Sequence, residues 1–288
     1  MELDPEVKPV QHLPRKVPVA LRGDLQDKLN ELESQGVMAK VDTPTEWTSS
    51  MVAAKRGDKL RICLDPKDLN KALRRSPVPM PTIDDIAPKL TKAKVFSVMD
   101  AKNGFWQVAL DESSSYLTTF WTPMGRYRWC RMPFGLKTAS DEFQRRQAQA
   151  LEGLPGVETI VDDVLIYASG DTLDQAENDH DNNLLRLLDR ARQKRLVFNA
   201  SKIRLKLPEV RYCGHIFSAQ GIRADPEKVK AITNLSEPKD MKALQRFLGT
   251  VNYLARFLPR LSQLCEPLRR LLAKDVEWSL ANSAASSL

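Results

Sequence analysis

Two adjacent acids, Asp162 and Asp163, are the residues most suited to chemistry, because they stand between two apolar, β-branched runs. The runs, 159–161 and 164–167, predict two strands joined at the acids. Neighbouring strand residues point to opposite faces, so both carboxylates cannot enter a core, and burying even one unpaired carboxylate is costly. The pair therefore indicates either a cation site at a hairpin tip or an ordinary Asp-containing β-turn, and this stretch alone leaves both open.

A third acid, Asp100, ends the apolar run 95–99, which predicts a buried strand. Taken alone, Asp100 is either a metal ligand or the cap of a helix or turn. Gly104 follows shortly afterwards and would let backbone N–H groups approach a phosphate. Carboxylates grouped with phosphate-seeking Lys and Arg side chains are what two-metal phosphoryl transfer requires, and Mg²⁺ prefers such hard oxygen ligands.

A basic hairpin is predicted earlier in the chain, with strands over 51–55 and 59–65. On its second strand Lys59 and Arg61 share one face. A hairpin that presents Lys55, Lys59 and Arg61 suits an anionic ligand such as a triphosphate, and Arg in particular makes bidentate phosphate contacts. The alternative is a solvated strand face.

Composition and charge narrow the possible function classes. The chain has 288 residues and a net charge of +7, a length that allows more than one folding unit and a balance compatible with nucleic acid. No apolar run approaches the roughly 20 residues of a membrane helix, and the N-terminus has no secretory signal. Four scattered Cys and three His argue against a zinc site and fit a reduced, intracellular setting. A Gly-x-Ser-x-Gly motif and a Walker A loop are both missing from the sequence.

The elements that must position these residues follow from the spacing of apolar side chains. Residues 1–20 are Pro-rich and predict an extended arm. A helix is predicted over 21–36, and it buries Leu21, Leu25, Leu29 and Leu32. A strand-rich stretch over 116–136 and a helix over 140–150 follow, and then a long helix that buries Leu184, Leu187, Leu188 and Ala191. A strand starting at 196–199 and a hairpin over 212–217 complete the first 220 residues.

The composition changes at about Gly221, after which only helices are predicted. One begins after Asp225-Pro226, and two more cover 239–253 and 261–272. The segment from Arg223 to Lys274 contains eleven Lys and Arg residues and five Asp and Glu residues, which gives a net charge of +6. This excess on a separable unit favours a polyanion over a merely solvated basic face. The tail, 279–288, is low in complexity and is predicted to be disordered.

Six stretches in chain order resemble the reverse transcriptase of gypsy-class LTR retrotransposons, relatives of the retroviral enzyme. The stretches are 59–71, 96–105, 131–137, 161–163, 212–215 and 221–229. The resemblance implies an α+β right-hand polymerase with fingers, an antiparallel-sheet palm and a helical thumb. It assigns 1–20 to the N-terminal arm, 21–75 and 108–138 to the fingers, 76–107 and 139–220 to the palm, and 221–278 to the thumb.

The resemblance also implies an activity, RNA-directed DNA synthesis, and a role for each matching residue. It implies that Asp100, Asp162 and Asp163 hold two Mg²⁺ ions, with Mn²⁺ as a substitute, and that the thumb grips an RNA or DNA template with its primer. The nucleotide site for the dNTP would comprise Lys55, Arg61, Asn103, Gly104, Phe105, Phe134 and Gly135, with Arg61 on the triphosphate and Phe105 excluding a 2′-hydroxyl. The primer grip would comprise Cys213, Gly214 and His215.

The chain departs from the family pattern in three places. The residue two before Asp162 is usually aromatic and here is Ile160, which bears on how the primer terminus is positioned. The segment 137–141 replaces one that usually carries Asn and Pro, and the acid Asp141 bears on the start of the following helix. The similarity stops near Trp278, where relatives usually continue into connection and RNase H domains.

We expect this chain to be a fragment of a Pol polyprotein whose other domains, the protease, RNase H and integrase, would be its partners. The expected location is intracellular, in the cytoplasm, a virus-like particle or the nucleus, with no membrane partner. Two alternatives remain open at this point. One is a catalytically silent relic that binds template and primer without synthesis, and the other is a protein-interaction module with fortuitous acids.

Overall fold

A four-stranded antiparallel sheet lies at the centre of the computed structural model, which describes residues 1–57 and 59–273. Its strands lie in the order Val157–Ile160, Asp163–Ser169, Ala93–Asp100 and Arg204–Leu207. The strand before Asp100 reads as a continuous apolar run because both faces of this strand are covered. Phe96 and Leu165 belong to one core cluster of this sheet, and Met99 and Val164 belong to another. The central sheet confirms an α+β fold with an antiparallel palm-like sheet.

The secondary structure elements have the following bounds. The strands are β1 (Met38–Lys40), β2 (Ser50–Arg56), β3 (Lys59–Asp65), β4 (Ala93–Asp100), β5 (Phe120–Thr122), β6 (Gly125–Trp129), β7 (Val157–Ile160), β8 (Asp163–Ser169), β9 (Arg204–Leu207), β10 (Glu209–Tyr212), β11 (His215–Ser218) and β12 (Gly221–Ala224). The α-helices are α1 (Arg22–Ser34), α2 (Leu69–Ala72), α3 (Ile83–Ile86), α4 (Glu112–Leu117), α5 (Ala139–Leu151), α6 (Leu173–Lys194), α7 (Pro226–Thr233), α8 (Met241–Asn252), α9 (Leu261–Leu264) and α10 (Glu266–Arg270).

The N-terminal half contains two further sheets, the β2–β3 hairpin and the sheet β1-β6-β5. They share one core with α1, whose residues Leu25, Leu29 and Leu32 are fully buried, as the helical spacing predicts. Residues 1–20 contain a turn in which the Val7 N–H donates to the Asp4 carbonyl oxygen, and a bridge between Leu3 and Leu73 fastens this arm to the core. The predicted hairpin of basic residues is therefore a real element on a packed support.

The C-terminal part begins with a small antiparallel sheet, β10-β11-β12, which is followed by helices α7 to α10. We call these four helices, residues 226–270, the helical unit. Asp225 caps α7 by accepting a hydrogen bond from the Glu227 N–H, and Pro226 occupies the first helical position, as the Asp-Pro sequence predicts. No helix of the described residues is long and apolar enough to cross a membrane.

Four details of the predicted elements were wrong. Leu188 remains exposed, because the buried stripe of α6 runs through Leu187 and Ala191 instead. Residues 196–199 form only a single bridge at Phe198, and the strand that joins the sheet is β9. Residues 221–224 are strand β12 rather than helix, because they pair with β11.

The fourth detail is the helix predicted over 261–272, which is two short helices, α9 and α10. The break falls at Cys265, because Pro267 favours a new helical start there over continuation of the first helix. The predicted disordered tail over 279–288, the predicted thumb end at 274–278 and the Lys59 side chain lie outside what the structure describes.

Candidate active site

Strand pairing brings the three predicted acids to one end of the central sheet. Asp100 and Asp163 are the last directly opposed pair of β4 and β8, and Asp162 lies in the turn before β8. The Ala101 N–H donates a hydrogen bond to the Asp162 carbonyl oxygen at 2.8 Å, which fastens the turn to the end of β4. Asp162 and Asp163 thus lie at a hairpin tip, as predicted, and the register supplies Asp100 beside them.

The turn before Asp162 has a strained backbone. Val161 has a φ angle of 50°, a left-handed conformation that costs a β-branched residue about 1–3 kcal/mol. The buried Gln144 of α5 holds this turn: its Oε1 accepts from the Val161 N–H at 2.6 Å, and its Nε2 donates to the Thr159 carbonyl oxygen at 3.2 Å. Gln144 therefore fixes the backbone from which both acids project.

The acids repel one another, and one of them has a basic partner. Burial, followed by the charge of Asp100, raises the pKa of both the Asp162 and the Asp163 carboxyl groups above the usual value. Lys202 opposes this effect, and its Nζ lies 2.8 Å from Asp100 Oδ2. The cluster carries more negative charge than the neighbouring Lys202 can balance, which is a property expected of a cation site.

The Asp162 carboxylate packs against Gly104. Its Oδ1 atom is buried and has no hydrogen-bond partner among the described residues. A Cβ added to Gly104 would overlap this oxygen and would lie 3.2 Å from Asp162 Cγ. In this arrangement no three His, Cys, Asp or Glu side chains of the described part of the chain converge closely enough to hold a metal ion.

An aromatic group adjoins the acids on the Gly104 side. The ring centroid of Phe105 lies 5.0 Å from that of Phe134 and 5.7 Å from that of Phe143. Phe134 is 40% exposed, so the group presents a partly open apolar surface next to the carboxylates. Asn103, with a φ angle of 51°, makes the left-handed turn that starts the short 3-10 helix carrying Phe105. The structure thus brings Asn103, Gly104, Phe105 and Phe134 together.

Gly135 lies in a loop that packs closely against strand β3. A Cβ there would lie 2.5 Å from the Leu64 carbonyl oxygen, and the φ angle of Gly135 is 107°. The close approach is therefore made by strand β3 of this chain. Asn70 secures the same loop, because its Nδ2 donates to the Gly135 carbonyl oxygen and its Oδ1 accepts from the Lys137 N–H, each at 2.9 Å.

The structure places Lys55 and Arg61, two of the three predicted basic residues of the β2–β3 hairpin, on different faces. Arg61 is exposed and stands opposite Ala54, whereas Lys55 stands opposite Leu60. Because successive strand residues alternate between faces, Lys55 lies on the face opposite to Arg61. Its Nζ pairs with Asp24 Oδ2 of α1 at 2.5 Å. The expectation that Lys55 assists Arg61 is therefore not supported by this arrangement.

The predicted grip residues occupy the turn between β10 and β11, which we call the grip turn, residues 212–215. Tyr212 is buried, and its hydroxyl donates to the Asp163 carbonyl oxygen at 3.4 Å. Burial, together with the charge of Asp163, raises the pKa of the Cys213 thiol to about 11. The grip turn therefore lies directly beside the hairpin of the acids, and Ile160 packs into the same core cluster as Cys213.

Asp141 does not disturb the start of α5, which begins at Ala139. Its carboxylate is buried and accepts from Arg75 Nε at 2.7 Å and from Arg75 Nη2 at 3.2 Å. The Arg75 guanidinium holds the pKa of the Asp141 carboxyl below its usual value. Asp141 therefore links the first turn of α5 to the segment that leads to α3.

Several site residues escaped the sequence analysis. Gln144 and Asn70 act through long-range hydrogen bonds to backbone atoms, which leave no periodic signal in the sequence. Lys202 was missed because a strand was predicted to start at 196–199, whereas Lys202 ends a short 3-10 helix, Ala200–Lys202, that brings it to Asp100. One signal was available for Gln144: a polar residue beside Phe143, on the apolar face of a helix, requires a partner.

The chain is similar in sequence to a known protein family and to several polyproteins. Residues 53–217 match the family described as reverse transcriptase (RNA-dependent DNA polymerase). The Retrovirus-related Pol polyprotein from transposon 412 of Drosophila melanogaster is 33% identical over 77% of this chain, which spans 18% of that polyprotein. The Transposon Tf2-3 polyprotein of Schizosaccharomyces pombe is 27% identical over 94% of this chain, which spans 20% of it.

Solved structures show the same fold. The foamy viral protease-reverse transcriptase in complex with double-stranded DNA is similar with a TM-score of 0.82 and 22% identity, over 96% of this chain and 48% of that one. The foamy viral protease-reverse transcriptase in complex with an RNA/DNA hybrid is similar with a TM-score of 0.77 and 23% identity, over 96% of this chain and 37% of that one. The predicted right-hand polymerase fold is thereby confirmed.

Proposed function

Because this chain belongs to the reverse transcriptase family, we propose that it is an RNA-directed DNA polymerase that extends a primer with dNTPs. One observation carries the proposal: the β4–β8 register sets Asp100 directly opposite Asp163, with Asp162 in the adjoining turn. Two paired strands and the adjoining turn thus supply three carboxylates at one end of the sheet, as phosphoryl transfer through two metal ions needs.

The acids fit a pair of divalent cations on chemical grounds. Asp162 Oδ1 is a buried oxygen without a hydrogen-bond partner among the described residues, and the like charges raise the pKa of Asp162 and Asp163. A bound cation would give the buried oxygen a partner and would offset the repulsion between the carboxylates. Asp100, Asp162 and Asp163 would hold two Mg²⁺ or Mn²⁺ ions, which when bound would activate the primer 3′-hydroxyl and stabilise the leaving pyrophosphate.

The neighbouring side chains would orient the incoming nucleotide. Arg61 is exposed on β3 and offers the planar fork that binds phosphate oxygens bidentately. Phe105 is held against Phe134 and Phe143, so its ring cannot easily retreat from a sugar placed upon it. A fixed ring excludes a 2′-hydroxyl by its bulk, and Phe105→Val should therefore raise ribonucleotide incorporation relative to deoxynucleotide incorporation.

The grip turn and the helical unit would hold the primer and the template. The excess of +6 between Arg223 and Lys274 favours contacts with phosphates, which are nearly independent of sequence and weaken with salt. The double-stranded DNA and the RNA/DNA hybrid bound to the foamy viral proteins are the classes of ligand that we propose here. Other Pol domains, including the protease, RNase H and integrase, would be partners within a longer polyprotein.

A primer-extension assay on an RNA template tests the proposal. We expect the purified chain to add dNTPs in the presence of Mg²⁺, and Asp162→Asn to abolish extension while leaving the protein folded. Asp163→Asn and Asp100→Asn should behave in the same way. A folded wild-type protein that incorporates no dNTP, or an Asp162→Asn variant with unchanged activity, would refute the proposal.

A second candidate is a protein that binds template and primer without synthesis. The observation that favours it is the ion pair between Lys202 and Asp100, which occupies one of the three carboxylates. Ile160, in a position where relatives usually carry an aromatic residue, points the same way. This candidate predicts salt-sensitive binding of an RNA–DNA hybrid by the wild-type protein together with no extension by it.

A further inference from the structure

The helical unit is joined to the grip turn by a hydrogen bond that the proposed function leaves unexplained. Tyr253 follows the last residue of α8, and its hydroxyl donates to the Cys213 carbonyl oxygen at 3.0 Å. The same hydroxyl lies 3.4 Å from His215 Nδ1, and that nitrogen lies 3.1 Å from the Cys213 carbonyl oxygen. One tyrosine hydroxyl therefore contacts a backbone atom and a side chain of the same four-residue turn.

The Tyr253 ring is fixed by its surroundings. His215 is buried, and its ring centroid lies 5.1 Å from that of Tyr253 and 5.6 Å from that of Phe257. Lys228 Nζ of α7 lies 4.5 Å from the centre of the Tyr253 ring, within cation–π range. The hydroxyl is thus presented by a ring that contacts both the buried His215 and Lys228.

Gly214 adapts the turn to this hydroxyl. A Cβ at Gly214 would overlap the Tyr253 hydroxyl and would lie 2.9 Å from Lys228 Nζ and 3.0 Å from Tyr253 Cζ. The φ angle of Gly214 is 77°, which independently favours glycine. The turn and the tyrosine therefore fit each other only when no side chain is present at position 214.

The other side of the turn reaches the acids. The buried Tyr212 donates to the Asp163 carbonyl oxygen, and the charge of Asp163 contributes to the raised pKa of the neighbouring Cys213 thiol. A continuous set of contacts thus runs from α8 through Tyr253, the Cys213 carbonyl and Tyr212 to the hairpin that carries the catalytic acids. Each step in it is a hydrogen bond or a covalent neighbour.

From this arrangement we infer that Tyr253 is a positioning residue for the primer: its hydroxyl fastens the helical unit to the grip turn. This inference rests on the proposed function. Helices that hold the duplex phosphates and a turn that holds the primer end then move as one body. Loss of the hydroxyl would let the duplex leave more easily, while a primer already in place would react at the usual rate.

The test compares Tyr253→Phe with the wild-type chain in two measurements. The first is the dissociation rate of a fluorescent RNA–DNA template–primer without dNTPs. The second is extension of the prebound hybrid in the presence of a heparin trap, which gives the single-encounter product length and the burst rate. We expect dissociation roughly 2–10-fold faster, the cost of one hydrogen bond, and correspondingly shorter products. The burst rate should remain within about twofold.

Tyr116→Phe is the matched control, because it removes a tyrosine hydroxyl from the N-terminal half of the chain. It should leave both measurements unchanged. A melting temperature for each variant separates positioning from unfolding. Unchanged dissociation and product length in a folded Tyr253→Phe protein would overturn the inference, as would a burst rate that falls in parallel with the product length.

A double-mutant cycle with Gly214→Ala gives a second, independent readout. The backbone strain that alanine adds at the positive φ angle of position 214 is the same in the wild type and in Tyr253→Phe. It therefore cancels when the two effects of Gly214→Ala on the dissociation rate are compared. The overlap with the hydroxyl exists only when position 253 is tyrosine, so Gly214→Ala should accelerate dissociation less in the Tyr253→Phe background than in the wild type. Strictly additive effects would overturn the inference. The dissociation measurements remain decisive even if the wild type incorporates no dNTP, an outcome that would refute the proposed function alone.

Discussion

Substituting Gly104 by alanine should displace the Asp162 carboxylate, which we propose to be catalytic, because the new side chain would occupy part of its place. The added Cβ would overlap Asp162 Oδ1 and would lie 3.1 Å from Phe143 Cζ. Ordinary contacts between heavy atoms are about 3.5–4.0 Å, so the carboxylate or the short helix must move by roughly 1.5 Å. Overpacking of this kind costs about 1–3 kcal/mol of stability. A displacement of that size at a catalytic group lowers the rate by about 100-fold.

The assay has two parts, thermal unfolding and primer extension on an RNA template. Gly23→Ala in α1 is the control, because a Cβ there meets nothing within 4 Å and replaces glycine in a helix. The control should stabilise the protein by up to about 1 kcal/mol and leave extension unchanged. Retention of full extension by Gly104→Ala, with a melting temperature equal to the wild type, would refute the reasoning about the Asp162 carboxylate.

Three further outcomes follow from the site. Gln144→Met should lower stability by about 1–3 kcal/mol for each backbone group it leaves unpaired, seen as a lower melting temperature. Asp163→Asn should raise the melting temperature of the metal-free protein at neutral pH, because burial and like charge raise the pKa of that carboxyl, and this gain should shrink as the pH falls towards 3.8. Asp141→Asn should instead lower it at neutral pH, because Arg75 holds the pKa of Asp141 down, and this loss should disappear as the pH falls below 3.8.

Asp163→Asn and Asp141→Asn serve as controls for each other. Each removes one negative charge, but the expected changes in melting temperature have opposite signs. The same sign for both at neutral pH would contradict the electrostatic argument. For the Gln144 variant, Gln149→Met on the exposed side of α5 is the comparison, and equal melting temperatures for the two variants would contradict a role in holding the turn.

Local patterns predicted most of the elements that carry the site. The alternation around Asp162 and Asp163 and the apolar run before Asp100 are properties of single strands, so the hairpin and β4 could be found from the sequence alone. The register that sets Asp100 against Asp163 could not, because it depends on the packing of two strands that lie about 60 residues apart in the chain. The resemblance to a family supplied that step.

Residues whose partners are distant in the chain could not be identified from the sequence. Nothing near Lys202 or Tyr253 distinguishes them from other Lys and Tyr residues, because their partners, Asp100 and Cys213, belong to distant segments. Residues 221–224 were misassigned for the same reason: pairing with β11 outweighs a composition that resembles the helices that follow. Leu188 shows the limit of periodicity, because adjacent leucines point about 100° apart around α6 and only Leu187 of the two reaches the core.

The pairing of β4 with β8 also determines where this chain can change its length. The two strands pair without a break from Val95 to Asp100, and the one irregularity between them falls at the far end, between Ala93 and Val95. An extra residue near Ala93 could be absorbed at that irregularity, far from the acids. An insertion or deletion nearer to Asp100 would turn its carboxylate to the other side of the sheet, because side chains alternate along a strand. Variation in chain length should therefore be tolerated at the start of β4 and excluded from the six residues that precede the turn.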